Sequence, residues 1–182
     1  MSALDRRDRG QLADDTVVIT VMTNLGFRRA MEAQGVEIVE TGVGDRYVLE
    51  ALDAGGYSLG GEQSGHVIHR DLATTGDGVL TAVQLFDAVR RRGVDMGEWA
   101  ASVMTRFPQV LENVRMAEKI PDLKARLADA IEAEEAILGD SGRVLIRESG
   151  TEPVVRVMVE AAEAELAQAS TDRLVAAVSA LE

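Results

Sequence analysis

The 182-residue sequence has no cysteine and only two histidines, His66 and His69. The first absence excludes a disulfide framework and a thiolate metal site, and it fits a reducing cytoplasm. The second excludes the usual Cys/His metal spacings. No apolar run approaches the ~20 residues that a membrane-spanning helix needs. The opening segment, MSALDRRDRGQLADD, is charged and lacks an apolar stretch, so no signal peptide is expected. Positive charge is scarce: 19 Lys and Arg stand against 31 Asp and Glu, for a formal net charge of −12. Such a surface repels nucleic acid and anionic membrane, so neither is an expected partner. An anionic ligand would need a local basic pocket. Internal repeats and low-complexity stretches are missing too.

What is present reads as two domains. TVVITVM (Thr16–Met22) is β-branched and apolar on both faces, the mark of a buried, parallel strand. In NLGFRRAMEAQG, Asn24 reads as an N-cap, Phe27, Ala30 and Met31 as a helical stripe, and Gly35 as the stop. VEIVE (Val36–Glu40) completes a right-handed βαβ unit. A helix is expected near Tyr47–Leu52, ended by Gly55 and Gly56, and then two short strands around the Gly-rich GGEQSGH. TTGDG opens a helix with Val79, Ala82, Val83, Phe86 and Val89 on one face and Gly93 as its stop. The pattern changes after Met104. FPQVLENVRM holds a strand, and PDLKARLADAIEAEEAILG an amphipathic helix starting at Pro121. SGRVLIR and PVVRVMVEA are strands, and Leu166, Leu174, Val178 and Leu181 mark a final helix. The expected fold class is therefore α/β: a mixed βαβ-type domain over 1–105, then a small α+β domain over 106–182 with an antiparallel sheet and two helices. The boundary lies near residues 104–108.

Four polar clusters interrupt this pattern. In RESGTEP and the strand after it, Arg147, Ser149, Gly150, Thr151 and Arg156 can surround one phosphate. Guanidinium forks bind phosphate bidentately, hydroxyls add donors, and glycine lets backbone N–H groups approach. The other reading is a capped turn, with Arg147 and Arg156 paired to Glu148 and Glu152. In GGEQSGH, Glu62 and Ser64 suit sugar hydroxyls, and flanking glycines leave room for a ring; a plain Gly-rich hairpin is the alternative. His66 is an acid, a base, a ligand contact or a structural side chain. TTGDG is a helix N-cap signal, at an end that also favours anions. Asp45 and Arg46 of VGDRY stand at another helix start, where the other reading is a capping Asp45 and a solvated Arg46.

Taken together and in this order, VGDRYV, GGEQSGH, TTGDG and RESGTEPVVRVMVE resemble the phosphoglucosamine mutases of the α-D-phosphohexomutase superfamily. FPQVLENVR lies between the last two. The resemblance runs from about Leu12 onward and corresponds to the third and fourth domains of a four-domain enzyme. It implies interconversion of glucosamine 6-phosphate and glucosamine 1-phosphate in the cytoplasm. A phosphoserine gives its phosphoryl group, a bisphosphorylated sugar reorients, and Mg2+ held by an aspartate-rich loop supports the transfer. It implies that Glu62 and Ser64 hold sugar hydroxyls. Arg147, Ser149, Gly150, Thr151 and Arg156 hold the phosphate that is not transferred, and Asp45, Arg46 and His66 line the cleft. No Thr-Ala-Ser-His-type segment and no Asp-Gly-Asp run occurs here. The resemblance therefore implies a C-terminal part, with the nucleophile, the metal ligands and the N-terminal domains lying outside it and no turnover by this chain alone. The other readings are a part of a phosphomannomutase/phosphoglucomutase, a non-catalytic sugar-phosphate-binding module, and a bare structural fragment.

Overall fold

The computed structural model describes residues 1–150 and 152–181. The chain divides into two units, Met1–Arg106 and Phe107–Glu182. The first contains α1 (Ser2–Asp8), β1 (Thr16–Thr20), α2 (Leu25–Ala33), β2 (Glu37–Thr41), α3 (Asp45–Gly55), β3 (Leu59–Gly61), β4 (Val67–His69), α4 (Gly78–Arg92) and α5 (Met96–Val103). Its sheet runs β2-β1-β3-β4, parallel except for the β3–β4 hairpin. All five residues of β1 are buried because both faces are covered. Val17 and Ile19 join a core with Phe27 and Met31 of α2, while Val18 joins Val48 and Leu52 of α3 on the other face. Asn24 caps α2, its Oδ1 accepting from Gly26 N–H at 3.0 Å. Gly56 and Gly93 end α3 and α4 in the left-handed conformation.

The second unit contains β5 (Gln109–Arg115), α6 (Leu123–Arg126), α7 (Ala128–Leu138), β6 (Gly142–Glu148), β7 (Val154–Ala161) and α8 (Ala164–Ser179). Its sheet is antiparallel in the order β5-β7-β6. Val155, Val157 and Val159 of β7 pack with Ile146, Leu138, Ala167, Leu174 and Val178. Glu134 of α7 accepts from Arg173 of α8 at 2.5 and 2.8 Å, which ties the two helices together. Those bonds hold the Glu134 carboxyl below its ordinary pKa.

One expectation is corrected, and two features were not foreseen. The helix foreseen from Pro121 starts at Leu123, after a left-handed Asp122, and breaks at Leu127 into α6 and α7. Helix α5, with its buried Trp99, has no counterpart in the sequence reading; its eight residues are too few for the stripe to stand out. On α4 the stripe Val79, Val83, Phe86 faces outward, at 76, 57 and 61 % exposure. The helix is turned by its polar edge instead: Arg91 pairs with Asp5 at 2.8 Å and Arg92 with Asp8, both on α1, while Ala88 is buried. No helix among the described residues is long and apolar enough to cross a membrane.

His69 supplies a pH-dependent contribution to this unit. It is buried, and Arg6, which can only donate, lies 3.4 Å from Nδ1. Burial, and then the Arg6 charge, push its pKa below the ordinary 6.5, partly opposed by Asp71. Near pH 6.5 the unfolded chain thus binds more protons than the folded one, so stability rises with pH there. The contribution is full above 6.5 and is lost as pH falls below it. The fluorescence of Trp99, the sole tryptophan, reports this unit. Denaturant melts at about pH 7.5 and about pH 5.5 are expected to show a loss of at most about 1.4 kcal/mol per pH unit. His69→Gln is expected to flatten that dependence.

Candidate functional site

In the second unit the site begins with strand register. Residues 155, 157 and 159 face the helices, so Arg156 points to the opposite face of β7. The β6–β7 pairing sets Arg147 directly across from Arg156. Directly opposed residues have Cβ atoms about 4.5–5.5 Å apart, and like charges there repel. Neither arginine has a carboxylate ion-pair partner among the described residues, and Arg147 Nε is buried without a hydrogen bond. The capped-turn reading required pairs with Glu148 and Glu152; these are not formed. Burial and the Arg156 charge lower the Arg147 pKa.

The turn beyond β6 completes this cluster. Ser149 is buried; its N–H donates to Val154 O at 2.8 Å, and its Oγ accepts from Glu152 N–H at 3.4 Å. A Cβ at Gly150 would meet nothing within 4 Å, and its φ is not left-handed, so neither crowding nor strain within the chain calls for glycine there. Thr151 lies outside the described residues. Lys119 Nζ donates to Gly150 O at 3.2 Å and adds a cation beside the turn. The sequence reading missed it, because a single lysine in an irregular segment carries no pattern.

The first unit holds the other cluster on the β3–β4 hairpin. Glu62 N–H donates to His66 O at 2.9 Å, and Gly65 N–H to Glu62 O at 3.0 Å. The Glu62 carboxylate reaches back to α3, its Oε1 accepting from Gly44 N–H at 3.0 Å. Ser64 is exposed at the tip. His66 Nε2 lies 3.7 Å from Asp45 Oδ2, so Asp45, Glu62 and His66 gather at the start of α3. Arg46 does not join them: it pairs with Glu50 at 2.7 Å, one turn along. Asp77 caps α4, accepting from Val79 and Leu80 N–H at 2.8 and 2.9 Å. A Cβ at Gly76 would fall 2.2 Å from His66 Nε2, so a side chain here would push the imidazole aside. Among the described residues no three His, Asp or Glu side chains gather closely enough to hold a metal ion.

Comparison with known proteins matches these two units separately. Residues 1–107 match the model described as phosphoglucomutase/phosphomannomutase, alpha/beta/alpha domain III, and residues 111–177 match its C-terminal domain. The chain is 57% identical over 179 residues to the phosphoglucosamine mutase of Frankia alni, which covers 98% of this chain and 39% of that protein. It is 57% identical over 173 residues to that of Thermobifida fusca, covering 94% and 38%. The chain thus spans about two fifths of the length of these relatives. In fold it resembles the Aspergillus fumigatus N-acetylphosphoglucosamine mutase solved with GlcNAc-6P and magnesium, with a TM-score of 0.71 at 20% identity over 97% of this chain and 41% of that one.

The unrelieved arginine pair has a measurable consequence. Arg147→Met removes one of two facing charges and a buried, unbonded Nε. The variant is expected to be more stable than the parent by about 0.2–1 kcal/mol. Amide exchange across β6 and β7 reads this difference. A variant less stable than the parent would mean that contacts inside the chain already satisfy Arg147.

Proposed function

The chain belongs to the phosphoglucomutase/phosphomannomutase family, and on that premise we propose that it forms the sugar- and phosphate-holding part of a phosphoglucosamine mutase. The reading rests on one observation above others: Arg147 and Arg156 face each other across a strand pair, with no carboxylate paired to either among the described residues. A phosphate bound there would relieve their repulsion and accept charge-assisted bonds from both. Ser149 Oγ, the Gly150 N–H and Thr151 would add donors. In the first unit Glu62 offers its second carboxylate oxygen, and Ser64 its hydroxyl, to sugar hydroxyls. Asp45 and His66 would border the ring, with Arg46 further out.

In this reaction the sugar carries a phosphate at one end while the other end reacts, and the bisphosphorylated intermediate then turns round. The pocket of the second unit would hold whichever phosphate is not being transferred. It should therefore bind phosphate oxygens and take little account of the ring, which suits guanidinium forks on a rigid sheet. The phosphoryl-carrying serine and the magnesium that supports transfer are assigned to domains outside this chain, and no residue here is given either role. A cytoplasmic location belongs to the same proposal, because charged sugar phosphates do not cross membranes unaided and the protein must share their compartment.

Two experiments test the proposal. This chain alone, given glucosamine 6-phosphate, glucosamine 1,6-bisphosphate and magnesium, is expected to make no glucosamine 1-phosphate. Grafted in place of the matching part of the Frankia alni enzyme, it is expected to support turnover. Within the graft, Arg147→Ala should lower kcat/KM roughly ten- to hundredfold, the worth of a charge-assisted contact of about 1.5–3 kcal/mol. Glu62→Gln should lower the rate without changing the melting temperature. A folded, active graft indifferent to both substitutions would overturn the assignment.

A further inference from the structure

FPQVLENVR, the stretch between the last two polar clusters, ends in β5, and the phosphate reading gives that strand no role. Val110 and Val114 of β5 pack on the core of the second unit, so Leu111, Asn113 and Arg115 lie on the opposite face of the sheet. That is the face of Arg147 and Arg156. The register then sets residues of three strands in two adjacent rows. Asn113 stands directly across from Arg156, which stands across from Arg147. In the next row Arg115 stands across from Val154, to whose carbonyl Ser149 N–H donates at 2.8 Å.

These six positions carry three guanidinium groups, a carboxamide, a hydroxyl and no carboxylate, in a chain of net charge −12. Arg115 is exposed, and among the described residues no carboxylate pairs with it. Further along β7 on this face, Glu160 is buried and bonded to Arg143 at 2.6 Å. The apolar row of Leu111, Met158 and Leu145 lies in between. Arg115 and Arg156 are diagonal neighbours on adjacent strands, about 7–8 Å apart, which long side chains span. Their guanidinium groups can therefore converge on one anion, with Arg147 reaching it from the other side.

We propose that Arg115 is a further phosphate-binding residue and sets the preference of the site for a doubly charged anion. The inference rests on the phosphate reading above and adds a third strand to it. Near pH 7.5 a phosphate monoester is close to doubly charged, since its second pKa is about 6, whereas a sulfate monoester carries one charge. Attraction to a fixed cation scales with the charge of the anion, so an added guanidinium widens the gap between the two. Asn113 is neutral, and so leaves Arg156 free for the anion; a carboxylate directly opposite would pair with it.

The test titrates the chain with glucosamine 6-phosphate and with glucosamine 6-sulfate at about pH 7.5 and low ionic strength, where screening is weak. Amide shifts of residues 148–150 follow binding. Arg115→Gln is expected to weaken phosphate binding about tenfold and sulfate binding about threefold, which narrows the preference of the parent. Arg115→Lys retains the charge and is expected to retain most of the preference. Lys124→Gln removes an exposed charge from α6, on the helical side of the same unit, and is expected to change neither affinity. A charge on an edge strand also discourages pairing with another chain; that role alone would leave the phosphate-to-sulfate ratio unmoved. A parent-like ratio in Arg115→Gln, while Arg147→Met still weakens phosphate binding, would overturn the role of Arg115 and leave the phosphate reading standing. So would equal weakening by Lys124→Gln, which would mark an effect of net charge, or a preference lost as fully in Arg115→Lys as in Arg115→Gln. No saturable phosphate binding by the parent, or binding indifferent to Arg147→Met, would overturn both.

Discussion

The second unit depends on the register of β7. That strand is paired on both edges, and its alternate valines supply the centre of the core. A slip of one residue would turn Val155, Val157 and Val159 outward and bring Arg156 inward. The apolar core therefore holds the register, and the register brings Arg147 against Arg156. Two facing guanidinium groups are unfavourable in themselves. They persist because burying three valines, each worth about 1.5–3 kcal/mol, outweighs a repulsion of under about 1 kcal/mol. A hydrophobic core thus keeps charges in place that would otherwise separate.

The first unit reaches a comparable result through hydrogen bonds and close contact. Glu62 is held by a backbone N–H at the start of α3, and the hairpin bearing it is closed by two backbone bonds. The loop before α4 lies on His66, where Gly76 has no side chain to push the imidazole aside. Three segments far apart in sequence, at residues 44–45, 62–66 and 76–77, thus meet at one place. Each contact is modest, but together they order a carboxylate and an imidazole, so these side chains would have little conformational freedom left to lose to a bound group.

Much of this was legible beforehand, for identifiable reasons. The buried run at Thr16–Thr20 and the valine alternation of β7 carry strong periodic signals, and both became central strands. The grouping of Arg147 with Arg156 was foreseen from composition; the direct cross-strand opposition was not, because register depends on the core of the whole unit. The outward stripe on α4 was not legible either. Sequence periodicity finds an apolar face but not its neighbours, and here ion pairs to α1 oriented the helix. Lys119 and the bond from Gly44 to Glu62 arise from loop paths that leave no periodic trace.

The placement of the two arginines also bears on how this segment tolerates change in length. Arg147 is the next-to-last residue of β6 and Arg156 the third of β7, and a short turn separates the strands. A residue inserted between Arg147 and Ile146, or between Arg156 and Val157, would carry one guanidinium to the other face of the sheet while the core held its register. An insertion within the turn would leave both where they are. Variation in length is thus open to the turn and closed to the strand ends, and a lineage can reshape the turn without disturbing the two facing charges.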